Sequence, residues 1–533
     1  MPGVREKTVR TVRRSWFMAL PMLALTSHGA AGPRVRVAEG MVEGSASAGS
    51  VAFKGIPYAA PPLSANRWRA PQPAGHWRGV RDATRFGHSC WQAVSPKGFG
   101  PWSHEYVVAG DISEDCLFLN VWTPARRRGA RPVLVWIHGG GFNSGSGAIP
   151  IYDGAALAAR GAVVVTINYR VGVFGFLAHP ELTREAGDAP TNFGLLDMVA
   201  ALRWVKSNIA AFGGDPRRIT IAGQSAGAMA VHALVAAPAA KGLFARAIGE
   251  SGLPRPLSSL TTAEAQGVAF ASTIGATGLA ALRRLPPATL QPATGANAVR
   301  FVPVADGRLL PTGPWRPVSD IPTLVGITAD EGSASDDYRM NDPAGIEALL
   351  RPSYGTVAQQ AAALYPLVTL GERSTAGAQI RRDAGLGALD AWATTRSEQA
   401  HRPVFAYLFT HVEPGTHASR WGAFHSSEIP YVFGTLAASP ERNFTDDDRR
   451  LSERMTAMWL AFMRSGDPNA PGLPAWPAMN ASHPTILRID IHPVSQPLLA
   501  PDTLSLARRS RIQMQHEHQT SRLDRSTEPQ PPR

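Results

Sequence analysis

Along the chain, several apolar runs break the polar background without alternating. They are residues 132–138 (Pro-Val-Leu-Val-Trp-Ile-His) and 162–169 (Ala-Val-Val-Val-Thr-Ile-Asn-Tyr), with 218–222 as a short buried strand and 321–328 as a strand that resumes the sheet. A strand with one wet face alternates apolar and polar residues, so unbroken runs of this length predict strands covered on both faces. Residues 245–252 and 402–410 read as further strands, each ending in a turn or loop. Between them lie helical patterns: residues 197–209, with Val199, Leu202 and Val205 facing inward, 226–236, stopped by Pro238, and 447–465. Strand, helix, strand in succession predicts an α/β fold with a mostly parallel central sheet and helices on both faces. The prolines and short alternations of residues 40–62 suggest a small β-meander. Weaker helical patterns at about 254–313 and 334–400 read as insertions over the active site. The polar, proline-tipped stretch 512–533 reads as a disordered tail.

The chemistry gathers where these elements change over. Gly223-Gln224-Ser225-Ala226-Gly227 joins the strand at 218–222 to the helix at 226–236, turning the chain within very few residues. Such a G-x-S-x-G turn lifts its serine hydroxyl clear of the backbone, beside a helix N-terminus. The strand at 132–138 delivers Gly139-Gly140-Gly141. Without the Gly-Lys-Ser/Thr of a phosphate loop, these glycines suit an oxyanion hole, where bare backbone N–H groups approach a developing O⁻. A serine hydroxyl needs a base to take its proton and a third group to orient that base. Asp330 and Glu331, after the strand at 321–328, are the candidate acids; His411, His417 and His425 are the candidate bases.

Longer phrases around these residues carry a family resemblance. Phe212-Gly213-Gly214 leading to the Ser225 turn resembles the serine signature of the type-B carboxylesterases, the carboxylesterase, lipase and cholinesterase branch of the α/β-hydrolases. Glu114-Asp115-Cys116-Leu117-Phe118-Leu119-Asn120-Val121, Asn168-Tyr169-Arg170, Asp330-Glu331-Gly332 and Phe424-His425-x-x-Glu428-Ile429-Pro430 are similar to further family wording, and the likeness covers about residues 36–490. It implies an α/β-hydrolase fold and a carboxylic ester hydrolase, like the bacterial para-nitrobenzyl esterases, working through an acyl-enzyme. By that match Ser225 is the nucleophile, His425 the base and Glu331, rather than Asp330, the acid. Gly140, Gly141 and Ala226 are the oxyanion donors. The resemblance also implies a Cys90–Cys116 disulfide, a buried Arg67–Glu114 ion pair and a gorge wall built from the loop holding Trp91, Phe99, Trp102 and Tyr106. It implies no metal and no organic cofactor; His516-Glu517-His518 lies in the tail and reads as inert. The family's cholinesterases carry a glutamate before the nucleophile, and the neutral Gln224 here weakens a choline-ester reading. A lipase acting on aggregated esters, and a non-catalytic binding domain that has lost its triad, are the competing classes; the intact triad residues argue against the second.

Composition changes the picture mainly at the N-terminus. Arg5, Lys7, Arg10, Arg13 and Arg14, opposed only by Glu6, precede a short apolar stretch at 16–25 and the small residues Gly29-Ala30-Ala31. This is the pattern of a signal peptide, residues 1–31, followed by a hydrolase domain at 32–511. Arg13-Arg14-Ser15 leaves the twin-arginine and general export routes both open. Export to the periplasm or medium permits a disulfide, and closing 25 intervening residues between Cys90 and Cys116 is worth ~3 kcal/mol in the chain-entropy model. Setting the leader aside leaves about +8 of the formal +12, almost all of it arginine, since the chain has five lysines. No aromatic-interleaved basic run points to nucleic acid, and no later stretch is apolar enough for a stable membrane anchor. The expected partner is a small-molecule ester, with oligomeric state carrying no signal in the sequence.

Overall fold

The computed structural model describes Gly3 and residues 32–126, 129–185, 190–291, 299–313, 315–338, 342–399 and 401–526, the last without side chains beyond 513. The proposed leader, apart from Gly3 and the boundary, lies outside these residues, as do the side chains of His516-Glu517-His518 and residues 527–533. From Pro33 onward the chain is one compact unit.

Its centre is an eleven-stranded sheet. The strands in chain order are β1 Ser45–Ser47, β2 Ser50–Pro57, β3 Phe118–Pro124, β4 Arg131–Ile137, β5 Val163–Ile167, β6 Gly214–Gln224, β7 Arg246–Glu250, β8 Thr323–Thr328, β9 Val404–Phe409, β10 Thr485–Ile489 and β11 Val494–Pro497. Across the sheet they run β11-β10-β9-β8-β7-β6-β4-β5-β3-β2-β1. From β10 to β5 the neighbours are parallel; antiparallel pairs sit only at the two margins. Val133, Leu134, Val135, Trp136 and Ile137 of β4 are each at most 1% exposed, which is what an unbroken apolar run requires. Burying one such side chain contributes ~1.5–3 kcal/mol, so the central strands anchor everything carried at their ends. Chain order reverses at β4: one neighbour is β5, the other β6. Open α/β sheets leave a crevice at such a switch point, beyond the carboxyl ends of the strands.

Helix α1, Phe193–Asn208, begins four residues before the apolar periodicity suggests. Asn192 takes a left-handed conformation, and its carbonyl accepts from the Leu195 and Leu196 N–H groups to start the helix early. Helix α2, Ala226–Ala236, follows β6 directly. Between β7 and β8 lies α3, Leu260–Thr273, with shorter helices at Leu279–Arg284 and Pro287–Leu290; between β8 and β9 lie α4, Pro343–Tyr354, and the long α5, Leu370–Gln399. Arg67 fastens the first of these regions to the N-terminal part. It makes a two-pronged pair with Glu114, at 2.7 and 2.5 Å, and donates to the carbonyls of Leu282, Arg283 and Leu285. Helix α6, Asp446–Ser465, is closed at its start by a reciprocal Thr445–Asp448 capping box.

One expectation needs correcting. The N-terminal stretch is not a single meander. Gly40–Glu43 pairs with Arg34–Val37 on one side and Val80–Asp82 on the other in a separate three-stranded sheet, while β1 and β2 join the main one. Helix α7 runs from Pro501 to Ser526, into the stretch read as a tail. Its first turns dock on the core through Leu506, 5% exposed, and Arg508, paired with Asp390 at 2.7 and 2.9 Å. A segment of good helix formers anchored at its start propagates outward at little cost per residue.

Candidate active site

Ser225 stands at the carboxyl end of β6 with φ 58° and ψ −123°, a region that non-glycine residues rarely enter. Two constraints hold it there. Its N–H donates to the Glu250 carbonyl at 2.8 Å, and the helix that follows folds hard against β4. A methyl group on Gly227 would lie 2.0 Å from the Ile137 carbonyl oxygen, so only glycine allows α2 to start here. The consequence is a serine raised into the crevice between β4 and β6, with Ala226 at the first position of α2 and its N–H among those a helix leaves free.

Across the crevice, β4 delivers His138 and the glycines. Gly140 and Gly141 both have positive φ, 103° and 63°. Their carbonyls are turned away and engaged: Gly140 O accepts from the Asn143 and Ser144 N–H groups at 3.0 Å, and Gly141 O from Asn143 Nδ2 at 2.7 Å. Among the described residues their own N–H groups meet no acceptor. Behind them His138 is fully buried and stacked on Tyr169, centroids 4.2 Å apart. Burial drives its pKa down to about 4, so it is a neutral support that adds no charge to the crevice.

Glu331 and His425 come from the loops after β8 and β9. Glu331 Oε1 accepts from the Thr328 N–H at 2.8 Å, and Oε2 makes a very short hydrogen bond to His425 Nδ1. Burial raises the Glu331 pKa, but the His425 charge and hydrogen bonds from His425, Ser251 and Thr328 outweigh it and hold the carboxylate below its ordinary value. For His425, burial works downward while Glu331, and more distantly Glu428, work upward; the net pKa lies above the ordinary imidazole value. Trp102 Nε1 donates to the His425 carbonyl at 3.0 Å, and its ring edge meets the imidazole.

The rival residues have other work. Asp330 accepts from Tyr338 OH at 2.7 Å and from the Ala423 N–H at 2.9 Å, stitching the β8 loop to the β9 loop just before His425. His411 pairs with Asp448 at 2.7 Å beside Tyr431. His417 is exposed, ahead of the short helix Ala418–Trp421. Cys90 and Cys116 form a disulfide at the base of the loop carrying Trp102.

Two features were not legible in the sequence. Gln224, 2% exposed, places its side-chain Nε2 at 3.0 Å from His425 Nε2, the ring nitrogen that faces away from Glu331. Ser225 Oγ makes no hydrogen bond among the described residues. Behind the imidazole, Glu250 and Glu428 are both fully buried. Glu250 takes one hydrogen bond, from Trp459 Nε1 at 2.8 Å, and burial pushes its pKa up to about 8. Glu428, reached at 3.4 Å by Ser251 and Tyr407, is held well above the carboxylate range by burial and by Glu250 and Glu331. Glu428 was visible only as part of a phrase, and nothing local marks Glu250 as buried.

A serine lifted on a strand-to-helix turn at the switch point of such a sheet, with an imidazole–carboxylate pair delivered from the later strands, is the architecture of an α/β-hydrolase. Residues 31–506 match the model of the carboxylesterase family, and the chain belongs to that family. The fumonisin B1 esterase of Sphingopyxis macrogoltabida is 38% identical over 80% of this chain and 81% of its own length. Phenmedipham hydrolase of Pseudarthrobacter oxydans is 37% identical over 89% and 99%. The para-nitrobenzyl esterase of Bacillus subtilis is 36% identical over 85% and 93%. A solved PNB esterase structure superposes with a TM-score of 0.74 at 32% identity, covering 89% of this chain and 99% of that one. The protein is a carboxylic ester hydrolase. Among the described residues no helix is long and apolar enough to cross a membrane.

Proposed function

We propose that hydrolysis runs through a Ser225–His425–Glu331 triad and an acyl-enzyme. His425 Nε2 takes the Ser225 proton as Oγ attacks the ester carbonyl, and the resulting O⁻ is met by the N–H groups of Gly140, Gly141 and Ala226. His425 then protonates the departing alcohol. Water, activated at the same nitrogen, releases the acid and restores Ser225. Glu331 fixes the proton on Nδ1 and stabilises the imidazolium. The observation that carries this reading is the strained backbone of Ser225, one residue after a Gln224 side chain that reaches His425 Nε2, together with the carboxylate of Glu331 on the far nitrogen of that imidazole. Each oxyanion donor is worth ~3 kcal/mol in the transition state.

The relatives are named for quite different substrates, so their names favour no single ester here, and we take soluble esters as the substrate class. Ser225→Ala should abolish release of p-nitrophenol from p-nitrophenyl acetate while leaving the melting temperature in place; turnover that survives would overturn the triad. A p-nitrophenyl ester series should peak at short chains. A jump in rate at the onset of lipid aggregation would instead make the enzyme a lipase. Export follows from the basic and apolar pattern of residues 1–31, with the Cys90–Cys116 disulfide in support. A mature N-terminus at Gly32 in periplasmic or secreted protein checks it, and retention of the leader in the cytoplasm would refute it.

A further inference from the structure

In the free enzyme the proton-accepting nitrogen is already occupied. Because His425 Nδ1 is bound to the Glu331 carboxylate, the neutral ring carries its proton there and presents a lone pair at Nε2. The group 3.0 Å from that lone pair is the Gln224 amide nitrogen, a donor. Gln224 is buried, and its other amide atom packs close to the glycine run: a methyl group on Gly139 would lie 3.0 Å from Gln224 Oε1. The side chain therefore spans from the oxyanion loop to the base, one residue before the serine. We propose that Gln224 is a positioning residue that holds His425 in a resting state, and that substrate binding must exchange the Gln224 N–H for the Ser225 hydroxyl at Nε2. The inference rests on the serine-triad reading above.

The chemistry of the amide sets the direction of the effect. A donor at Nε2 stabilises neutral imidazole and has no lone pair on that atom to offer imidazolium, so it lowers the pH at which the base becomes available. The other titratable or charged groups facing the ring are Glu331 at Nδ1, Glu428 behind it with Glu250 beyond, and Arg255 from the segment after β7. None of them contacts Nε2 among the described residues, so the contact belongs to Gln224 alone. A glutamate in its place would reverse the sign, holding a protonated ring between two carboxylates.

The test is the pH dependence of inactivation by a small fluorophosphonate. In that reaction the Ser225 Oγ–P bond forms, fluoride leaves and the serine proton passes to His425. Gln224→Met keeps the bulk and removes the donor. We expect the acid limb to move up by ~0.5–1 pH unit and the plateau rate to rise ~3- to 10-fold. Gln224→Glu should lift the acid limb by more than ~1 unit, and it decides the matter if the methionine variant does not fold. An acid limb unmoved in whichever variant folds, or a plateau that falls in Gln224→Met, overturns the resting-state role. Wild-type enzyme that is not inactivated at all overturns the serine triad itself, whatever Gln224 does.

Discussion

Replacing Glu331 by glutamine separates orientation from charge, because the structure dictates which way the new amide must face. Glu331 Oε1 accepts from the Thr328 N–H at 2.8 Å. In Glu331→Gln that N–H still needs an acceptor, so the amide oxygen goes to Thr328 and the NH₂ group to His425. The opposite orientation sets donor against donor and leaves a buried N–H unpaired, at ~1–3 kcal/mol. With NH₂ facing it, Nδ1 can only accept, so the ring proton moves to Nε2 and the base can no longer take a proton from Ser225. Loss of the carboxylate also removes the charge that stabilises imidazolium. A tautomer forced wrong in a triad of this type lowers turnover by ~10⁴, or ~5 kcal/mol; the ability of Gln224 to swing its oxygen onto Nε2–H adds to the trap. The assay is the steady-state kcat for p-nitrophenyl acetate, with burst amplitude reporting the acyl-enzyme. We expect kcat to fall ~10³- to 10⁴-fold with the melting temperature within a few degrees of wild type, and Glu331→Asp to recover part of the loss. A Glu331→Gln enzyme retaining more than a tenth of wild-type kcat would refute the reasoning and return Asp330 to consideration.

Glu250 gives a pH-dependent stability with a definite sign. Its folded-state pKa of about 8 lies above the unfolded carboxylate value, so the folded protein binds the extra proton and its stability falls as pH rises through the interval between the two, by a few kcal/mol in all. Glu250→Gln, which keeps an acceptor for Trp459, should flatten that slope and gain on wild type at pH 9 relative to pH 5 in urea titrations. Equal slopes for the two proteins would show that Glu250 is ionised when folded. Removing the disulfide by Cys90→Ser with Cys116→Ser should cost ~3 kcal/mol from the released loop. Because that loop carries Trp102, which donates to the His425 carbonyl, kcat/KM should drop with it; unchanged kinetics would detach the loop from the site.

What could be read in the sequence, and what could not, divides by physical range. The β4 run at 132–138 announced a doubly covered strand because burial on both faces leaves no room for polar residues, and Val133 to Ile137 are at most 1% exposed. The turn at Ser225 was legible because its geometry forbids side chains at fixed neighbours, and the 2.0 Å approach of Ile137 O to a methyl on Gly227 is that prohibition in space. Choosing between Asp330 and Glu331 needed the family phrase, since both follow the same strand and only the fold turns one toward Ala423 and the other toward His425. The burial of Glu250 had no local signature, because it depends on Trp459 arriving 209 residues later. Gln224 is the sharpest case. Read as a letter it is a neutral replacement for a family glutamate, informative only about which substrates it would not hold; placed in the crevice, its amide lies 3.0 Å from His425 Nε2.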